Sequence, residues 1–119
     1  MNQPTRASAA ATARRIRELN DIFRRTLVIR HGHVLITCGV SALPVADQAA
    51  IMRKVQTFDA FTDGNDPHGE HDFGAIAHDG TRYFWKIDYY DLQKRYASPD
   101  PADPTVTCRV LTVMRADEY

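Results

Sequence analysis

Cysteine is scarce: Cys38 and Cys108 are the only two in 119 residues. Each falls inside an apolar run, where free cysteine behaves as a small hydrophobe. Nothing points to a disulfide-stapled secreted scaffold, although a Cys38–Cys108 bond between neighbouring strands stays open. No apolar run approaches the ~20 residues that span a bilayer. The N-terminus carries Arg6, Arg14 and Arg15 without the apolar stretch of a secretory signal, so a cytoplasmic location and no membrane contact are expected. Net charge is also lacking. The formal total is zero, which argues against a strongly basic nucleic-acid binder and against an acidic DNA mimic. There is no glycine-rich phosphate loop and no Gly-x-Ser-x-Gly nucleophile turn.

What is present is an ordinary globular composition, 44% hydrophobic and 25% charged, at a length that suits one domain. The charge is unevenly spread. Residues 1–30 hold seven arginines against Glu18 and Asp21, and the remainder is acidic by the same margin. Residues 1–7 read as a flexible arm ahead of a single domain over 8–119. Ser8 is placed to cap a helix running to about Arg25, with Ile16, Leu19, Ile22 and Phe23 on its apolar stripe. Arg14, Arg17 and Arg24 fall on the other side, beside Glu18 and Asp21. This is the face of a solvated surface helix or, as a weaker reading, a phosphate-contacting one.

His33 to Val40 reads as a buried strand, and a second helix follows Pro44 to about Phe61, with Ile51, Val55 and Phe58 inward. Asp79-Gly80 is the pair that a type I′ hairpin prefers, so Phe73–Ala77 and Arg82–Tyr90 become its strands, with Gly74 opposite Trp85. Tyr83, Trp85, Ile87 and Tyr89 then share the face to be covered, and Phe84, Lys86, Asp88 and Tyr90 the wetter one. Three prolines in Ser98–Pro104 exclude regular structure there, and Thr105–Arg115 reads as a last strand. The expectation is an α+β two-layer sandwich: a mainly antiparallel sheet of about four strands with two helices on one face.

The chemistry is concentrated in Asn65-Asp66-Pro67-His68-Gly69-Glu70-His71-Asp72-Phe73-Gly74. Five ionic or metal-binding side chains fall there within seven positions. His68, Glu70 and His71 are candidate ligands for zinc, manganese or iron, which a hydrolase would need to complete with a further acid such as Asp88, Asp91, Asp100 or Asp103. Without a metal, His71 is a candidate proton shuttle, with Asp72 or Asp88 orienting it and Lys86 or Arg109 facing an anion. The plainer reading makes Asn65, Asp66 and Pro67 turn chemistry. Glu70, His71 and Asp72 would then tie the proline loop down through Lys86 or Arg109.

The segments Ile16–Asp21, Asn65–Gly74, Trp85–Asp91, Ser98–Pro104 and Arg109–Thr112 resemble the domain-of-unknown-function 3768 family, short bacterial proteins often carried on mobile elements. The resemblance carries over no activity and no catalytic residue, and no cofactor is expected beyond the candidate zinc, manganese or iron. It implies a small accessory protein, tied to plasmid maintenance or to countering host defence. With it, the favoured reading is a protein-binding module using Glu70, His71, Asp72, Lys86, Asp88, Tyr90, Asp91, Asp100, Asp103 and Arg109. The alternative is a small metal-dependent hydrolase built on His68, Glu70 and His71.

Overall fold

The structure is a computed structural model and describes residues 6–119. The expected N-terminal arm lies outside the described residues over 1–5, and helix α1 already runs over Arg6–Thr26, so Ser8 is inside it rather than capping it. Alanine and arginine, both strong helix formers, dominate its first half. Leu27 ends it in the left-handed conformation (φ 60°), its amide donating to the Phe23 carbonyl at 2.7 Å. β1 (Gly32–Ile36), a four-residue turn of helix α2 (Cys38–Ser41) and α3 (Val45–Gln56) follow. The hairpin β2 (Phe73–His78) and β3 (Thr81–Tyr90), then β4 (Cys108–Arg115) and a 3-10 turn over Ala116–Glu118, complete the chain.

The strand order is β1-β4-β3-β2. β1 runs parallel to β4 while the other two pairings are antiparallel, so the sheet is mixed, and the described residues form three α-helices where two were expected. The hairpin has the expected turn: Asp79 and Gly80 both take positive φ, and Gly74 pairs with Trp85. The core joins Phe23 of α1, Val40 of α2 and Ile51 and Val55 of α3 to Tyr83, Trp85, Ile87, Leu111 and Val113. By strand alternation, those sheet residues share one face.

The last strand begins at Cys108 and not Thr105, and three further details differ from the sequence reading. The first strand stops at Ile36, because Thr37–Val40 begin a helical turn that buries Val40, and this leaves Cys38 exposed. Both cysteines are free. The second helix ends at Gln56, so Phe58 and Phe61 pack edge-on to Trp85 from irregular chain. Within α1, Ile22 is half exposed while Asn20 and Arg24 are fully buried. Two polar side chains therefore stand on the stripe that periodicity made apolar.

Candidate functional site

Asn20 is the hub of a buried polar network. Its amide nitrogen donates to the Glu70 carbonyl (3.0 Å) and the Tyr89 hydroxyl (2.7 Å), and its oxygen accepts from Arg109 Nε (2.9 Å). Tyr89 in turn donates to Glu70 Oε1 at 2.9 Å. Burial, reinforced by Glu70, pushes the Tyr89 phenol well above its ordinary value, so it remains a donor throughout the stable pH range. Arg109, almost wholly buried, stacks its guanidinium over the Tyr89 ring and donates through Nη2 to the Pro101 carbonyl. One cluster thus ties α1, the 65–72 loop, β3, β4 and the proline segment together.

A second cluster adjoins it. Asp21 Oδ1 accepts from Arg24 Nη1 (3.0 Å) and lies 2.9 Å from His71 Nδ1. Asp66 accepts the His71 backbone amide at 3.1 Å, and its other oxygen lies 3.5 Å from His71 Nε2. The imidazole stacks on Phe61 with ring centroids 3.7 Å apart. Arg24 lies over Phe61 and Trp85 and donates through Nη2 to the Phe58 carbonyl. Both nitrogens of His71 therefore face carboxylates, Nδ1 at hydrogen-bond distance and Nε2 at a longer one.

The expected site residues divide between the two faces of the sheet. Glu70 and His71 meet Arg109 and Tyr89 through the two clusters. Lys86, Asp88 and Tyr90 alternate to the opposite face, where Lys86 Nζ pairs with Asp88 at 3.0 Å. That hydrogen bond raises the Lys86 pKa. Asp91 accepts the Arg95 amide, and Asp100 and Asp103 accept the Ala102 and Thr105 amides, so all three fix turns. The Thr105 hydroxyl and amide hold Asp103 below the usual carboxylate range. His68 is exposed and adds no bond to the network. Of the three arginines read as a phosphate face, Arg24 is buried and Arg17 donates to the Gly69 carbonyl at 3.0 Å. Arg14 and Arg17, with Ala10 and Ala11, line an open depression.

Asp72 carries a testable consequence. Burial, then the nearby Glu70 charge, raises its pKa. A carboxyl raised in the folded state binds more protons there than in the unfolded chain. Its cost is therefore absent below the unfolded pKa of about 3.9 and fully present above the folded value. Asp72→Asn is expected to raise the melting temperature at pH 7, with the gain vanishing as the pH falls toward 3.9; thermal unfolding across pH checks this.

Elsewhere, Asp47, His78 and Asp79 bring one ligand atom each within 4.8 Å, the one such group among the described residues. His78 is well covered, with Nε2 2.8 Å from Asp47 Oδ1. Its Nδ1 lies 3.3 Å from the Lys54 ammonium, which also donates to the Ala77 carbonyl. A metal on Nε2 would put a proton on Nδ1, facing that ammonium. The arrangement therefore suits a hydrogen bond from Nε2–H to Asp47, joining α3 to the hairpin, better than a cation site.

Sequence reasoning missed Asn20, Asp21 and Phe61 as site residues. A signal existed for one of them: Asn20 is a polar residue at an apolar-stripe position between Leu19 and Phe23. The sequence model of the family described as protein of unknown function (DUF3768) matches residues 36–118, which leaves α1 and most of β1 outside the match. No curated protein and no solved structure matches the chain.

Proposed function

Because the chain belongs to the DUF3768 family, whose description names no activity, we propose its function from geometry: a non-catalytic protein-binding module that presents the turn after β3. The observation that carries this reading is the contrast between the inward chemistry and the outward apolar groups. Glu70, Tyr89 and Arg109 turn inward onto Asn20 of α1, and Asp66 holds His71 against Asp21 of the same helix. Tyr96 and Leu92, 74% and 48% exposed, project from the adjoining turn.

That turn is held on both sides. Asp91 N donates to the Tyr96 carbonyl at 2.9 Å, and Tyr90 bridges to Ala97. Ser98 N then donates to the Tyr89 carbonyl at 3.1 Å. A tyrosine on a fixed turn offers a large contact area for little lost entropy, which favours it as a binding anchor. Asp88 and Asp91 flank it, so the partner surface is expected to carry basic groups. The family resemblance suggests the setting, a cytoplasmic accessory protein of mobile elements.

The test is a photo-crosslinking amino acid at position 96, with another at exposed Asp63 as control, in cells that carry the natural host proteins. A discrete adduct from position 96, absent from position 63 and weakened by Asp88→Lys in a folded protein, is expected. Equal labelling at the two positions, or none, would remove the proposal. The rival hydrolase reading, on His68, Glu70 and His71 with zinc, manganese or iron, predicts stoichiometric metal that is lost in His71→Ala.

A further inference from the structure

The sheet has two edges, and only one is protected. At β2, Lys54 reaches across from α3 and donates to the Ala77 carbonyl at 2.7 Å, a carbonyl turned away from β3. At β1 no described residue plays that part. The strand Gly-His-Val-Leu-Ile holds no proline, lysine or acidic residue, the usual devices that blunt an edge. Val34, Leu35 and Ile36 are 37%, 53% and 39% exposed, apolar on both faces of the sheet.

The backbone pattern fixes what this edge offers. Thr37 N donates to the Val113 carbonyl at 3.1 Å, so by alternation His33 and Leu35 also point their polar groups at β4. Val34 and Ile36 therefore turn their N–H and C=O groups outward. Gly32 N is already bonded to the Ile29 carbonyl, which leaves Val34 and Ile36 as the edge's open ladder.

We propose that a second copy of this chain pairs with the β1 edge, antiparallel across a two-fold axis at Leu35, so that Val34 faces the partner's Ile36. This register engages every outward group of Val34 and Ile36, and it is self-complementary, as a closed two-fold interface must be. Leu35 then stacks on the partner's Leu35 as a non-hydrogen-bonded pair. Charge supports the same occupant. The register brings His33 opposite the partner's Thr37, whose hydroxyl donates to Glu118 at 2.7 Å. Arg30 and His31, just before the strand, approach the far end of the partner's β1, where Glu118 from the turn after β4 sits on Thr37 and Gly39 beside the Arg115–Asp117 ion pair. Basic start meets acidic finish twice. The surface is distinct from the turn at Leu92 and Tyr96, so self-pairing and partner capture stand or fall separately.

Sedimentation velocity of the full chain over a wide concentration range is expected to show a monomer–dimer equilibrium. Leu35→Lys, which apposes like charges, is expected to weaken it at least about tenfold while circular dichroism stays unchanged. A cysteine at 35 supplies the geometric check. Non-hydrogen-bonded antiparallel partners have Cα atoms about 4.5 Å apart, within disulfide range. In a Cys38→Ser background, Leu35→Cys is expected to oxidise to a covalent dimer, and Val34→Cys to stay monomeric. A wild-type monomer at all concentrations would overturn the proposal, as would a dimer that Leu35→Cys fails to link or that Val34→Cys links instead.

Discussion

Gly74→Ala is expected to cost about 3 kcal/mol, near the upper end for overpacking a core. An added Cβ would meet the Trp85 indole nitrogen and lie 2.7 Å from Trp85 Cε2 and 2.9 Å from Phe58 Cζ. Neither ring can yield easily. Trp85 is fully buried beneath Phe58, Phe61 and the Arg24 guanidinium, and Gly74 is its direct cross-strand neighbour. The glycine is needed for space, not for its backbone angles. Urea unfolding followed by Trp85 fluorescence checks both the loss and the displaced ring. Gly64→Ala, where the nearest side-chain atom is 3.7 Å away, is the control and should stay within about 0.5 kcal/mol of wild type.

Arg109→Met is expected to cost about 3 kcal/mol, on the order of 10 °C in Tm. Methionine fills much of the volume, so the loss reports the polar partners. The Asn20 side-chain oxygen loses its donor in a fully buried position, and the Pro101 carbonyl is released. An unsatisfied buried acceptor carries the whole cost of its lost solvation. A double-mutant cycle with Asn20→Ala should show strong coupling, because removal of Asn20 also removes the group that Arg109 leaves unpaired. Additive losses would mean that the two side chains act separately.

Much of this was legible in the sequence. Asp79-Gly80 located the hairpin and its register, and alternation along Tyr83–Tyr89 identified the covered face. The prolines of Ser98–Pro104 marked an irregular segment, whose Pro101 carbonyl accepts from Arg109. The rest depended on contacts that local pattern does not encode. β1 pairs with β4 from more than seventy residues away, so nothing near it announced a parallel neighbour. Arg24 looked solvated because periodicity weighs residue type. Its burial depends on Asp21 at 3.0 Å and on the rings of Phe61 and Trp85. His71 was legible as chemistry, and Asp66 lies in the same loop, but its closer carboxylate partner, Asp21, comes from α1, fifty positions away. Separate strands likewise hid the division of Lys86 and Asp88 from Glu70 and Arg109.

The central claim is that Arg109 and Tyr89, held through Asn20, brace the segment after β3 into a fixed platform. Amide hydrogen exchange over residues 91–107, in wild type and in Arg109→Met, tests it most directly. The account predicts slow exchange in wild type at Ser98, Asp103 and Val106, whose amides donate to Tyr89, Asp100 and Asp103. In Arg109→Met these amides should lose more protection than those of β3 and β4, which fall only by the global loss. Exchange at unstructured-chain rates in wild type, or a variant profile that falls uniformly, would contradict it.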